Sequence, residues 1–349
     1  MKYTADKIYD IPPGSTWWAS SEFGWVVGHS YCCYAPLLQR ATTIIYEGKP
    51  VGTPDAAQFF RVLSENKVRG WFLTPSAARA IRSEDPELDL SEKYRTGRPG
   101  LRNLANVFVA GEHCDESTMR WLARMLPAHV KISDTWWQTE TGWPITSSCL
   151  GYEDGCANTQ GCVAPIGSAG LPVPGYNVQL VEHKEGNTSS QSVDRELESG
   201  KDEKPLSRIV VKLPLPPGAA ITLWNDDKRF EELYFSKYPD HYDTMDLGYR
   251  DINGYLYILS RADDVINVSG HRLSTSALEE ACLAVDSVVD CAVIAVPHTV
   301  KVAAFNQACF VPKLPKTRSG KISRGSLAEM AAGKPVRVSE SMRKMRKQQ

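Results

Sequence analysis

Asp134-Thr135-Trp136-Trp137-Gln138-Thr139-Glu140-Thr141-Gly142 decides how the rest of the chain reads, because carboxylates, hydroxyls, an amide and two indoles follow one another directly after an apolar run. That mixture suits a ligand better than a core. The preceding Ala128-His129-Val130-Lys131-Ile132-Ser133 reads as a short strand, and in open α/β sheets ligands collect outside the carboxyl ends of strands. A Trp pair can wall an apolar pocket, while Thr139 and Glu140 have the oxygens to hold a phosphate-bound Mg²⁺. The same residues also fit a polar turn packed under two surface indoles.

Upstream, Thr42-Thr43-Ile44-Ile45-Tyr46, residues 68–73 and residues 106–110 read as strands, the last ended by Gly111-Glu112. Helices are predicted over 75–81 and about 116–125. Another is expected to start with Thr53 as N-cap and Pro54 at the first helical position, burying Phe59, Phe60, Val62 and Leu63. Strands alternating with helices imply a mainly parallel sheet covered on both faces. Gly111-Glu112 and the Asp134 stretch then fall at strand carboxyl ends, where one ligand can meet both. Trp17, Trp18 and Trp25 surround Gly24 and Gly28, which suits close backbone approach to a pocket or simple core packing.

Downstream the punctuation changes to Gly and Pro over 167–175, followed by strand-like 176–181, as in a β-rich subdomain. Residues 183–204 contain almost nothing apolar and are expected to be a disordered insertion. Ile209-Val210-Val211 resumes the sheet, and Asn253-Gly254 between strand-like runs signals a hairpin. The polar break at 260–264 suits a hinge. Ser276-x-x-Glu279 is a capping box predicted to open a helix through Ala284, and 288–296 reads as a buried strand. The division expected is therefore a large domain over 1–261 and a small α+β domain over 262–349, which ends in the basic loop Pro315-Lys316-Thr317-Arg318-Ser319-Gly320-Lys321.

At 349 residues and 42% hydrophobic, the chain can bury a core and form two domains. Its 40 basic and 41 acidic residues give a net charge of −1, so no global field draws it to nucleic acid or membrane. No apolar run is long enough to span a bilayer, and the first residues lack the apolar core of a signal peptide. A cytoplasmic location is expected for the chain as encoded. An odd count of 9 cysteines, with no Cys-x-x-Cys, argues against a disulfide framework or a structural zinc and for reduced thiols.

Together, Gly24-Trp25-Val26-Val27-Gly28-His29-Ser30-Tyr31, Ala110-Gly111-Glu112, residues 134–142, Tyr242-Asp243-Thr244-Met245-Asp246, residues 261–272 and residues 315–321 resemble the short-chain acyl-CoA synthetases of the adenylate-forming superfamily in order and approximate spacing. The resemblance implies the α/β adenylate-forming fold: an incomplete large domain with a parallel sheet and a β-rich subdomain, plus the smaller α+β domain. It also implies an acid-thiol ligase using ATP, CoA and Mg²⁺, in which propionate or acetate becomes an acyl-adenylate and CoA then displaces AMP. Carried over residue by residue, Lys321 would stabilise the charge that grows in adenylation, although alone it reads as one more exposed lysine. Asp246 would accept the ribose hydroxyls, and Arg261 would complete the nucleotide site. Gly111, Glu112, His113, Asp134, Thr135, Trp136, Trp137, Gln138 and Thr139 would line adenine and phosphates, and Glu140 would help hold Mg²⁺. Asn267, Ser269, Gly270 and Arg272 would meet CoA or nucleotide after the small domain rotates about Asp263. Trp137, Val26, Val27 and Ala110 would form the acyl pocket. Acetate-activating relatives typically carry Val where this chain has Ala110, and about 0.8 kcal/mol per buried CH₂ then predicts propionate at least as good as acetate.

Two departures from the family pattern stand beside this. The Ser/Thr/Gly-rich loop that wraps the ATP phosphates is expected before Trp17 and has no counterpart between Met1 and Thr16. After Val296-Pro297-His298, several tens of residues present in the family are expected to be absent. Two readings therefore remain open: an active ligase, or a truncated relative that binds nucleotide, acyl ligand or a full-length partner without turnover. A parent protein in the mitochondrial matrix is compatible with either, and oligomeric state is left open.

Overall fold

The computed structural model describes residues 1–52, 54–97, 100–152, 164–181, 206–262, 264, 266–268, 271–285, 288, 290–296, 308–311, 314–316 and 322–335. The expected disordered insertion at 183–204 lies outside the described residues. Two compact units divide the chain, Met1–Ile258 and Leu259–Gln349.

In the first unit, β1 (Thr16–Ala19), β2 (Thr42–Thr43), β3 (Gly70–Leu73), β4 (Asn106–Val109) and β5 (Lys131–Asp134) form a wholly parallel sheet in the order β2-β1-β3-β4-β5. Successive strand residues point to opposite faces, so each strand feeds two cores. Trp18, Trp71, Leu73, Val107 and Val109 face α3 (Gln58–Glu65), α4 (Pro75–Glu84) and α6 (Glu116–Met125), meeting Phe59, Phe60, Leu63, Ile81, Trp121 and Leu122. Trp17, Phe72 and Phe108 face the other way. There they meet Tyr9 beyond α1 (Lys2–Lys7), and Tyr31 in a π-helix, Gly28–Tyr34, that runs on into α2 (Ala35–Leu38). Burying one such side chain contributes about 1.5–3 kcal/mol, so these paired layers of large rings dominate the cohesion of the unit.

The π-helix and α2 bury one side only. Tyr34, Leu37 and Leu38, at i, i+3 and i+4, remain 52%, 59% and 53% exposed. Beside them β2 pairs only with β1 among the described residues, and Ile45 just after it is 70% exposed.

The short α5 (Glu92–Thr96) links α4 to β4, and Asp115 caps α6 by accepting the Thr118 N–H at 2.8 Å. Past β5, the two-residue β6 (Thr146–Ser147) and β7 (Leu171–Pro172) pair with each other. A four-stranded sheet follows in the order β11-β10-β9-β8, from β8 (Asn177–Val181), β9 (Ser207–Lys212), β10 (His241–Arg250) and β11 (Leu256–Arg261). The helix α7 (Asp227–Tyr234) lies between β9 and β10 in sequence. Val178, Leu180, Ile209, Val211 and Tyr242 join the same core as Trp17 and Tyr31, which fixes this sheet against the first one.

The second unit contains the antiparallel pair β12 (Ile266–Val268) and β13 (His271–Leu273), then α8 (Thr275–Leu283) and α9 (Arg324–Ala331). Glu279 of α8 pairs with Arg324 at 2.6 Å and accepts the Val293 N–H at 2.9 Å, tying α8 to α9 and to the intervening segment.

Several sequence expectations are corrected. Strand Thr42-Thr43-Ile44-Ile45-Tyr46 shortens to two residues. The helix expected from Thr53-Pro54 begins at Gln58 after an Asp55 turn, whose carboxylate accepts the Ala57 N–H at 2.9 Å; Thr53 itself lies outside the described residues. Ser276, expected to open the helix as its N-cap, falls inside α8 instead. Ser274 is the N-cap, accepting from Ala277, and Glu279 serves Arg324 and Val293 instead. The expected buried strand at 288–296 has no strand pairing among its described residues, and Val296 is 45% exposed. A β-branched run becomes a strand only when a partner takes its backbone groups.

Candidate active site

The carboxyl ends of β4 and β5 lie side by side, with Val109 opposite Asp134. Beyond β4, Ala110 is buried, and Gly111 turns the chain at φ +107°, a conformation that a side chain would strain. Glu112 is committed to the first turn of α4. It accepts the Ser76 N–H at 2.7 Å and the Ser76 hydroxyl, and pairs with Arg79 at 3.0 Å. That helix end is where an anion is best placed, so Glu112 pins the loop to the scaffold. His113, next along, is half-buried.

At the end of β5 Asp134 is buried, and its carboxylate accepts only the adjacent Thr135 N–H, at 2.7 Å, among the described hydrogen bonds. Burial raises the Asp134 carboxyl to about 7, against the pull of the Thr135 N–H. The neighbouring Cys114 thiol is also pushed up, by burial first and then by the Asp134 charge. Thr135 reaches across to Ser147 at 3.0 Å, fastening the stretch to β6.

Past this point the side chains converge on β10. The Trp136 indole N–H donates to Asp246 Oδ2 at 3.0 Å, and the Gln138 amide donates to the same oxygen at 2.7 Å and to the Thr244 carbonyl at 2.6 Å. Tyr242 donates to Gln138 Oε1 at 2.7 Å and so sets which way that amide faces. Asp246 is 6% exposed. A carboxylate held by two donors from the 134–142 stretch is a fixed acceptor suited to paired hydroxyls.

Trp137 meets Tyr31 edge-on at 5.6 Å. It packs against the large buried cluster to which Val27 and Ala110 also belong, and Val26 is half-buried. Thr139 is exposed. Glu140 Oε1 accepts the Tyr234 hydroxyl at 2.7 Å, and its carbonyl accepts the Ala220 N–H at 2.7 Å. Among the described residues no group of three or more His, Cys, Asp or Glu could hold a metal. A single fixed carboxylate suits Mg²⁺, which keeps waters and takes further oxygens from phosphates.

Arg261 is the exposed last residue of β11 and belongs to the second unit. Asn267 and Arg272 stand opposite each other on β12 and β13. Lys321, Asp263, Ser269 and Gly270 lie outside the described residues. Sequence reasoning gave no role to Tyr234, Tyr242, Arg208 or Asp243. Tyr242 and Asp243 stand within the stretch quoted for Asp246, whereas nothing local marks Tyr234 or Arg208.

Residues 2–197, more than half of the chain, match the AMP-binding enzyme family. The chain belongs to that family. Among its relatives, the mouse mitochondrial acyl-CoA synthetase short-chain family member 3 is 44% identical over 98% of this chain and 52% of its own. The Escherichia coli propionate–CoA ligase is 34% identical over 94% and 54%. This AMP-binding family member thus spans about half the length of the curated relatives it matches. The crystal structure of the anthranilate CoA ligase AuaEII in complex with anthranoyl-AMP superposes with a TM-score of 0.70 at 20% identity, covering 94% of this chain and 62% of that one. The adenylate-forming fold expected from the sequence is therefore the fold observed.

Proposed function

We propose that the chain carries the nucleotide and acid site of a short-chain acyl-CoA synthetase, activating propionate or acetate as an acyl-adenylate and passing the acyl group to CoA. The observation that carries this reading is the convergence of Trp136 and Gln138 on Asp246. It sets a fixed carboxylate beside the strand ends for ribose hydroxyls. Ala110, in the buried cluster that Trp137 packs against, leaves room for one more carbon than Val would, which favours propionate over acetate by roughly 1 kcal/mol if the space is filled. ATP supplies the adenylyl group and CoA the thiol that displaces AMP. Within the chain, Asp246 orients the ribose, the backbone of 111–113 and 134–139 lines adenine and phosphates, and Trp137 limits acid length and excludes water. Glu140, already aimed by Tyr234, fits one coordination position of Mg²⁺. Lys321 and Asn267, Ser269, Gly270 and Arg272 are assigned to adenylation and to CoA by their place in the family pattern, with Arg261 beside the nucleotide and Asp263 as the hinge.

Single-turnover formation of propionyl-adenylate from ATP, Mg²⁺ and propionate, with Lys321→Ala alongside, tests this. Adenylate in the natural chain and none in the variant is expected. A folded sample that gives none in either would leave the second reading, ligand binding without turnover.

A further inference from the structure

Asp246 owes its aim to an irregularity in β10. Tyr242 and Asp243 stand opposite Val211 and Val210 of β9, but Leu247 stands opposite Arg208, so residues 244–246 face Ile209 alone. At the centre of this bulge Met245 has φ +59°, a left-handed conformation that a non-glycine residue adopts only under constraint. Side chains supply that constraint. Asp243 Oδ1 accepts the Met245 N–H at 2.9 Å, and the Thr244 hydroxyl accepts the Asp246 N–H at 3.2 Å while donating to the Ile209 carbonyl at 2.7 Å. The Asp243 carboxylate is gripped in turn by both arms of Arg208, Nε at 2.6 Å and Nη2 at 2.7 Å.

Both members of that pair are almost fully buried, at 5% and 2% exposure. Burying two charges costs desolvation that their attraction does little more than offset, so such a pair is a poor way to add stability. Its planar fork is a good way to fix one geometry. We infer that Arg208, acting through Asp243 and left-handed Met245, is a positioning residue for Asp246 and thereby sets selectivity for nucleotides bearing both ribose hydroxyls. This rests on the proposed role of Asp246 as ribose acceptor. Thr244 ties the bulge to the Ile209 carbonyl and Arg208 holds it through Asp243; without the bulge the strand would continue its two-residue alternation past that point.

Calorimetric titration of the full chain with AMP and with 2′,3′-dideoxy-AMP reads the effect. The natural chain is expected to bind AMP at least about tenfold more tightly, as a charge-assisted hydrogen bond implies. Arg208→Lys keeps the charge and loses the fork. It should bring the two affinities within about threefold while changing dideoxy-AMP binding by less than about threefold. A merely structural role would weaken both ligands alike and leave the ratio intact, which overturns the inference. Should Arg208→Lys alone not fold, the comparison moves into Met245→Gly, because glycine adopts the bulge without strain. There Met245→Gly keeps the preference for AMP and the double variant loses it; a preference that survives the double variant also overturns the inference. A natural chain that binds both nucleotides equally would instead remove Asp246 from the ribose site, and the inference would fall with that reading.

Discussion

Replacing Asp134 by Asn should stabilise the protein at alkaline pH and leave it unchanged near pH 4. The carboxyl is buried at the end of β5 with one backbone donor, and burial lifts it to about 7 from an ordinary value near about 3.9. Between those values the folded chain keeps a proton that the unfolded chain has released. Stability from this group therefore falls as pH rises from about 4 and is flat above about 7. At 1.36 kcal/mol per tenfold change in acidity, the full span is about 4 kcal/mol, and relaxation and entering water bring the expected effect to about 2–4 kcal/mol. Asn keeps an acceptor for the Thr135 N–H and removes the charge. Urea unfolding followed by tryptophan fluorescence at pH 4.5, 6 and 8 measures the difference. The variant should gain increasingly over the natural chain across that series. A gain independent of pH, or a variant less stable at pH 8, would refute the argument that an ionised Asp134 is carried at a cost.

Two other perturbations test the scaffold around the site. A Cβ on Gly28 would lie 2.4 Å from both the Glu22 carbonyl oxygen and the Phe23 Cα, which are backbone atoms, so Gly28→Ala should cost about 2–3 kcal/mol in denaturant unfolding; a loss below 0.5 kcal/mol, on the order of an ordinary surface change, would show that the segment moves freely. Asp115→Ala removes the α6 cap and a partner of Arg79, with an expected loss of about 2 kcal/mol at pH 7. Burial alone would raise the Asp115 carboxyl, but hydrogen bonds from Ser117 and Thr118 and the Arg79 charge outweigh it and hold it below the ordinary range. The stabilisation is thus present above about pH 4 and disappears as pH falls below it, and the two chains should converge in acid.

The parallel sheet was legible because its strands carry the signal locally: short apolar runs ended by Gly or by polar clusters, with helices between them. Helix α6 was legible to its ends, since Asp115 caps it and Pro127 follows it closely. The 134–142 stretch stood out by its composition, carboxylates, hydroxyls and an amide directly after an apolar run, although Asp134, Thr135 and Thr141 are themselves buried. What escaped was whatever depends on a distant partner. Ser276 and Glu279 have the spacing of a capping box, yet Arg324, far along the chain, takes the carboxylate and Ser274 takes the cap. Residues 288–296 have strand composition, yet none of the described ones pairs with a strand among the described residues. The bulge at Met245 leaves no local mark, because a left-handed methionine is specified by Asp243 and Arg208 and not by methionine itself.

The exposed stripe of Tyr34, Leu37 and Leu38 lies beside β2, whose second edge has no partner among the described residues. Apolar surface next to unpaired strand edges is a template for a second molecule while both remain folded. Loss of dispersed chain through this face would be an encounter between two native molecules and not the sequel to unfolding. Its half-life lengthens in proportion to dilution, and a ligand or substitution that only deepens the native well leaves it unchanged.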